Sequence, residues 1–501
     1  ARLNRKERAL WRWVNVDDLD AFLMEVYAYY HGKGVYCIGL TRLLNLLTAG
    51  FVIFFSTWLV GCVDYSIIRH RTTLHEVVIP RCLSRFHAST VLLGLIILAF
   101  YGYHVYQFLT DLRRLRDMHD FFEELLEVSE TDIATVPWHV LAARLSALRS
   151  THPSALSSTF SGSGSVVGAT RLDAHDVANR IMRAENYLVA LFNRDLLNLD
   201  LEVTLGSLGR RRIFRGQLTR TLEWNLRFCL LGFLFGPDGQ VRRAFLLERN
   251  RRELIDGLRR RFVLMGTANA IFALFVLPYL LVYSFFRYFE EYRTNPSSIG
   301  SRNFTQLARW KFREYNELPH HFAQRLFRAY EPAQEYMAQF PRATTAIVAR
   351  FVAFVAGSFA AVLLLFSLLD PDAFLKFELT EGRTVIFYLG VLTAVLAVAR
   401  GMVSDAHQVA SPEELMRQVV EHTHYLPTEW SGRLHSLEVN RSFGQLFQMK
   451  IVTFLVEILS VVTTPFVLWY SLPDCAPALI DFFREFTVHV DGTGYVCSFA
   501  L

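Results

Sequence analysis

Lysine is scarce in this chain: Lys6, Lys33, Lys311, Lys376 and Lys450 stand against 47 arginines. Charge as a whole is thin, because Asp, Glu, Lys and Arg make up 20% of 501 residues, where soluble domains carry about a quarter. Cysteine is limited to Cys37, Cys62, Cys82, Cys229, Cys475 and Cys497, with no Cys-x-x-Cys pair and no histidine at zinc spacing. That excludes a disulfide-scaffold domain and gives no sign of a structural metal. Only Cys62 and Cys82 bracket a short loop and form a candidate disulfide pair. His-Glu-x-x-His and Gly-x-Ser-x-Gly are missing, and neither His320-His321 nor His422 with His424 has the i, i+4 spacing that sets two ligands on one helix face. No catalytic residue, no metal, no cofactor and no nucleotide motif is expected, so the chain does not read as an enzyme. Nothing resembles a groove-reading module, which argues against nucleic acid. Residues 1–13 lack the apolar core of a cleavable signal, and a chain beginning without methionine reads as a trimmed core.

Hydrophobic residues, in contrast, make up 52% of the chain and aromatic ones 14%. Crossing about 30 Å of hydrocarbon takes about 20 mostly apolar helical residues. Uncharged windows at 43–63, 86–110, 351–369 and 384–399 read as simple spans, the last followed by Arg400, which can snorkel. Two further windows are interrupted. Residues 262–286 contain Pro278, and 451–473 contain Glu457 and Pro465. A proline removes a backbone donor and clashes with the preceding turn, so each window is expected to break into two half-helices that enter and leave on one face. A kinked full span is the alternative.

Loop charge arbitrates between them. A six-span model would put the ten Lys and Arg of 287–350 outside and the acid-rich loop 370–383 inside, against the positive-inside rule. The expected fold class is therefore an all-α polytopic membrane protein with four transmembrane helices, two re-entrant segments and a helical cytosolic body. Residues 1–42 form the cytosolic start, 64–85 and 370–383 the lumenal loops, and 111–261 a cytosolic helical region with a flexible Ser/Gly loop at 155–168. Residues 287–350 and 400–450 add cytosolic helices, and 474–501 end the core with both termini cytosolic.

Between residues 205 and 262 lie fourteen arginines and no lysine. Arg210, Arg211, Arg212, Arg259, Arg260 and Arg261 flank the short apolar stretch 228–237, which suits contact with anionic headgroups. A solvated helix face paired with Glu248, Glu253 and Asp256 remains the alternative. Asn45, Thr48, Ser56, Asn269, Ser284, Ser358, Ser367, Thr393, Glu457, Thr463 and Thr464 put polar groups inside apolar segments, where they must face protein or water. They read as interhelical hydrogen bonds or as a hydrated lateral groove. Arg287, Arg293, Arg350 and Arg400 sit at membrane boundaries, where they could receive a phosphate headgroup and pass it along a polar track.

Several segments resemble the autophagy-related protein 9 family. They are Asn15 to Tyr27 (NVDDLDAFLMEVY), Cys62 to Tyr65, Glu185 to Leu191 (ENYLVAL) and Arg313 to Tyr330 (REYNELPHHFAQRLFRAY) followed by Gln339-Phe340-Pro341. Phe354 to Ala361 (FVAGSFAA), His422 to Trp430 (HTHYLPTEW), Gln445 to Lys450 (QLFQMK), Asp481 to Val488 (DFFREFTV) and Cys497 to Ala500 continue the resemblance. It implies four transmembrane helices and two re-entrant segments per protomer, and a homotrimer with a central pore and lateral branches. Through these, phospholipids would exchange between leaflets without ATP, in support of autophagosome membrane expansion. It further implies two partners, the bridge-like lipid transfer protein of autophagy and the autophagy-initiation scaffold. The implied location is Golgi-derived and endosomal vesicles and the phagophore assembly site, with endoplasmic reticulum membranes nearby. Arg293 falls in the family's pore-proximal stretch, although Thr294 and Asn295 stand where animal members carry charges. A solute or ion channel, or a membrane-anchored scaffold, are the other readings.

Overall fold

A computed structural model describes residues 4–501 except 66–72, 74–76, 81, 83–87, 153–171, 205–209, 215–216, 295–300, 341–342, 370–377, 381–382, 403–410 and 492. The expected loop 155–168 and most of the loop 370–383 thus lie outside the described residues. The chain is mostly helical. Among the described residues Gly34–Leu59, Glu248–Phe286, Ile347–Leu368 and Lys450–Glu485 are long and apolar enough to cross a membrane, and Val385–Gly401 is a shorter apolar helix. The residues divide into two compact units, one of 1–187, 234–248 and 482–501, the other of 188–233 and 249–481.

In the first unit, α1 (Arg5–Val14) opens on a capping box made by Asn4 and Glu7, and α2 (Leu19–His31) opens where the Asp18 carboxylate accepts from the Asp20 and Ala21 amides. α3 (Gly34–Cys62) follows a tight corner. Gly34 has φ +89°, and a Cβ there would meet Glu130 Oε1 at 2.1 Å, so only glycine lets that carboxylate sit beside the start of the first apolar helix. Glu130 is fixed there by the Tyr29 hydroxyl, 2.6 Å away.

α4 (Ala88–Glu124) is 37 residues long, about 56 Å, and continues well past Asp111, where charge counting ends the apolar window. Its apolar half exposes Leu95, Leu98 and Phe100, as α3 exposes Leu44, Phe51 and Phe54; surfaces of this kind demand a bilayer or partner. Its polar half instead sends Met118, Phe121 and Phe122 into a core with Trp13 and Phe22. The two helices are joined by Arg42 on Asp111 at 2.9 Å and by the Tyr101 hydroxyl on the Leu46 carbonyl at 3.1 Å. Cys62, the last residue of α3, forms a disulfide with Cys82, with Cα atoms 5.1 Å apart.

Helices α5 (Trp138–Thr151) and α6 (Ala174–Asn193) complete this unit's frame around a buried ionic network. The Asp20 carboxylate receives Arg180 and Arg183, each at 2.9 Å. Arg183 also donates to Gln240 Oε1 at 2.7 Å and to the carbonyls of Thr493 and Tyr495 in the C-terminal hairpin of Thr487–Val490 and Gly494–Cys497. Asn179 adds a bond to the Ala500 carbonyl at 2.8 Å.

The second unit adds α7 (Arg220–Leu226), which runs into a π-helical turn at Arg227–Leu231, and then α8 (Arg251–Thr294). A hydrophobic core in this unit packs α9 (Gln306–Lys311) and α10 (Pro319–Ala338) around Phe304, Phe312 and Tyr336. α11 (Ala343–Leu369) and α12 (Val385–Gly401) form an apolar hairpin. α13 (Pro412–Thr423) and α14 (Leu437–Leu446) return to the core. There Arg325 grips Glu317 through two bonds, at 2.8 and 2.7 Å, and holds the carbonyls of His422 and Phe312. α15 (Lys450–Phe466), a π-helical turn at Val467–Ser471 and α16 (Leu472–Glu485) follow. Among the described residues four two-stranded ribbons interrupt the helical plan.

Neither proline divides its window into separate half-helices. α8 runs through Pro278 without interruption, and α15 runs through Pro465 into the π-helical turn and then α16. One lost amide costs about 3 kcal/mol, whereas a full break in apolar surroundings strands several carbonyls at several kcal/mol each, so continuity wins. Widening to i+5 bonding after Pro465 absorbs the misfit. It also lets Trp469 reach α8, where its indole donates to the Val263 carbonyl at 3.2 Å. Gly266 is required at that crossing, because a Cβ would meet the Trp469 ring at 2.6 Å.

Burial holds the Asp20 carboxyl above its ordinary value although Arg183 and Arg180 pull it down. Folding therefore favours its protonated form below about 3.8, and that contribution is lost as pH rises through the raised value. The ionised carboxylate is what the two arginines engage. Asp20→Ala leaves two buried guanidiniums without their carboxylate and is expected to cost about 3–5 kcal/mol. Thermal unfolding of the purified protein in detergent measures it, and an unchanged midpoint contradicts the network's role.

Candidate functional site

Three of the arginine and threonine positions singled out in the sequence come together on the α11–α12 hairpin. A Cβ on Gly357 would lie 3.6 Å from Leu396, so the helices pack closely at that level. Counting from this contact back to Arg350 on α11 and on to Arg400 on α12 brings the two arginines to the same end, within about one turn of each other. Both are exposed. Thr393, also exposed, is seven residues before Arg400 and therefore on the same face of α12, about 10 Å deeper. Around them Phe351, Phe354, Val391, Val395 and Val398 are exposed, so the polar groups stand on an otherwise apolar surface. At the hairpin's other end Arg383 is engaged, its guanidinium 4.9 Å over the Phe387 ring. Arg287 and Arg293 lie on α8, but their side chains are outside the described residues.

A second polar cluster forms where α7, α8 and α15 meet. Asn225 and Asn269 exchange amide hydrogen bonds in both directions, at 3.2 and 2.6 Å, and each also donates to a carbonyl one turn back in its own helix, Thr221 and Met265. The Glu457 carboxylate accepts from the Arg220 amide at 3.1 and 3.2 Å, which places an acid at the start of α7. Ser460 and Thr464 are buried beside it. The cavity that Gln217, Thr219, Ser460, Thr463 and Thr464 help to line holds about 10 Å³, room for one water at most. A phospholipid headgroup cannot enter this seam, which is a closed packing joint.

Other polar residues of the apolar helices satisfy themselves. Thr48, Ser358 and Ser367 each donate to the carbonyl four residues back, of Leu44, Phe354 and Leu363. They therefore serve neither as interhelical bonds nor as a groove lining through those hydroxyl protons.

The six arginines of the basic patch divide. Arg210, Arg211 and Arg212 lie on a strand, Arg210–Phe214, paired with Leu201–Thr204, and their side chains are outside the described residues. Arg259 donates to the Pro473 carbonyl at 3.2 Å, and Arg260 is exposed. Arg261 is clamped between the rings of Phe228 and Phe233, at 5.2 and 5.4 Å, and donates to the Phe228 carbonyl. Another basic group did not stand out in the sequence: Arg227 and Arg313 lie 5.2 and 5.5 Å over the buried Trp310. Burial, with Arg220 beside it, pulls Arg309 below the ordinary arginine range. The single visible cue was Trp310 within an Arg- and Lys-rich string. Among the described residues no group of three His, Cys, Asp or Glu could hold a metal ion.

The amide pair makes a direct prediction. Asn269→Leu strands the Asn225 amide and is expected to cost about 1–3 kcal/mol, while Asn225→Leu with Asn269→Leu costs less than the two single losses added together. Thermal unfolding of the three variants in detergent tests this, and simple additivity would rule out the coupling.

Comparison with known proteins places this arrangement in a family. The family model described as "Autophagy protein ATG9" matches residues 11–501. The curated autophagy-related protein 9 of Mycosarcoma maydis is 57% identical over 508 residues, covering 100% of this chain and 64% of the relative. That of Cryptococcus neoformans var. neoformans is 51% identical over 541 residues, covering 100% of this chain and 54% of the relative. The cryo-EM structure of Schizosaccharomyces pombe Atg9 superimposes with a TM-score of 0.71 at 37% identity, over 97% of this chain and 99% of that one. The chain thus spans between about half and two-thirds of the length of these curated relatives. On this evidence, the chain belongs to the ATG9 family of autophagy proteins.

Proposed function

We propose that the chain is the membrane core of an ATP-independent phospholipid scramblase acting in autophagy. The observation that carries this reading is the exposed Arg350–Thr393–Arg400 arrangement on an apolar hairpin, in a chain of this family. A guanidinium is a fork that matches phosphate oxygens. Two of them at one end of an apolar hairpin can take a headgroup from the interface, and the Thr393 hydroxyl offers the next polar contact about two turns deeper while the acyl tails remain in lipid. Such a path consumes no ATP, since it only lowers the barrier to headgroup passage. Arg287 and Arg293 would act at the end of α8 in the same way, and Arg260 and the Arg210–Arg212 strand would hold the basic face against anionic lipid.

The assembly we infer is a homotrimer, in which exposed faces of the apolar helices are shared between protomers. α11 and α12, with α3 and α4, act as the four spans. The apolar parts of α8 and α15, which run on through their prolines, would lie within one leaflet without crossing, in keeping with the charge of 287–350 against 370–383. In this topology both termini would face the cytosol, on vesicles at the phagophore assembly site. The autophagy bridge-like lipid transfer protein and initiation scaffold are its proposed partners, the first as donor of lipid to one leaflet.

Liposomes carrying a fluorescent phospholipid test the proposal. With the protein present, an impermeant quencher is expected to remove fluorescence from both leaflets while a trapped soluble dye stays protected. Each arginine is worth about 1 kcal/mol at an anionic headgroup, so Arg350→Leu with Arg400→Leu should slow exchange roughly thirtyfold. Quenching of the outer leaflet alone overturns the proposal, and release of the trapped dye favours a channel.

A further inference from the structure

In the second unit α7 and the π-helical turn after it carry two large aromatic rings on their outside. Trp224 is 60% and Phe228 47% exposed, and the rings stack with centroids 6.0 Å apart and planes 14° from parallel. A single exposed ring is ordinary on a protein surface, whereas two stacked rings one helical turn apart make a continuous apolar plate.

Contacts with α8 fix the level of this plate. Asn225 meets Asn269 through the reciprocal amide bonds, and the Cys229 thiol donates to the Arg261 carbonyl at 3.9 Å. Moving back from residue 229 to 225 therefore moves forward along α8 from 261 to 269. Phe228 lies beside Arg261, whose guanidinium is 5.2 Å over its ring and donates to its carbonyl at 3.1 Å. Trp224 stands about 6 Å further on, one turn beyond that arginine. This is the level at which α8 changes character: Arg259, Arg260 and Arg261 end its charged part, and the uncharged window 262–286 begins.

The flanks of α8 show what the plate adjoins. Arg261 and Asn269 face α7, and Gly266 faces Trp469 of the turn after α15. At about 100° per residue Leu264 falls about 60° round the helix from Arg261, on the side away from Gly266. On that side Leu264, Ile271 and Phe275 are 68, 57 and 46% exposed. The plate thus borders the exposed apolar arc of a helix that is long and apolar enough to enter a membrane.

We propose that Trp224 and Phe228 anchor the second unit at the boundary between headgroups and acyl chains, where α8 enters the bilayer. A tryptophan suits that boundary because its ring is apolar while its indole N–H seeks a polar partner. Arg261 holds the plate from behind, clamped between Phe228 and Phe233, and the exposed Arg260 beside it can meet phosphate. Lipid fits this face better than a second copy of the chain: arginines on one side of the rings and an uncharged helix on the other repeat the order of headgroups and chains. The inference rests on the reading that the apolar part of α8 lies within one leaflet, and it names the side chains that set its depth.

Tryptophan fluorescence of the full chain in phosphatidylcholine nanodiscs tests it. Trp224→Phe keeps an aromatic ring on the stack, so the emission it removes from wild type is the Trp224 signal. Lipid brominated at acyl carbons 6 and 7 is the shallow quencher, lipid brominated at carbons 11 and 12 the deep one, and acrylamide the aqueous one. The Trp224 signal is expected to be quenched at least about twofold more by shallow than by deep bromine, and only weakly by acrylamide. Loss to acrylamide without loss to bromine puts the plate in water and overturns the proposal. Protection from all three quenchers means that protein covers it, a second copy included, and overturns the proposal as well, as does equal or greater loss to deep bromine. If Trp224→Phe disturbs the fold, Trp224→Tyr supplies the same subtraction. Lipid exchange is measured separately in liposomes, so a chain that exchanges lipid but leaves Trp224 in water rejects the anchor alone.

Discussion

The reciprocal amide bonds between Asn225 and Asn269 are the joint on which the membrane-facing half of the second unit depends. An amide in apolar surroundings costs several kcal/mol unless its donors and acceptor are met, and here each asparagine meets the other and its own preceding turn. The pair fixes α7 against α8, and Glu457 on the Arg220 amide fixes α7 against α15. With those contacts made, the α7–α15 seam closes to about the volume of one water. Polar groups inside the unit are therefore spent on packing. Arg350, Thr393 and Arg400 face outward on the α11–α12 hairpin, and in the proposed function a phospholipid would be handled there without opening the fold.

The first unit has a different logic. Its core joins the start, middle and end of the chain through Asp20, Arg180, Arg183 and the C-terminal hairpin. Two of these arginines share one buried carboxylate, an arrangement that offers specificity of docking more than net stability. Arg149, at the end of α5, adds a third buried guanidinium to this unit.

Much of the helical plan was legible because uncharged length is a direct consequence of bilayer thickness. The window 351–369 falls within α11, and 384–399 falls within α12 except for Thr384, which precedes it, for that reason. Helix ends were less legible, since α4 and α11 extend into polar sequence where charge counting stops. Proline was over-read at Pro278: local clash is a property of one residue, while helix continuity is set by the bonds of all its neighbours. Arg261 looked like a headgroup contact because its neighbours are arginines, but Phe228 and Phe233, about thirty residues away, enclose it. The Asn225 partner of Asn269 carried no signal, because an isolated asparagine in a short apolar segment has no spacing to read. Long-range pairings such as Asp20 with Arg180 are invisible for the same reason.

If lipid passes over the exposed hairpin and not through the interior of the protomer, the joint can be locked without loss of function. A protein carrying Asn225→Cys and Asn269→Cys, in a background without the other free cysteines, would be joined by a short bifunctional thiol reagent and its rate of lipid exchange measured in liposomes before and after joining. The account predicts the same rate in both states. A lipid exchange rate that collapses on joining and recovers when the link is cleaved would contradict it.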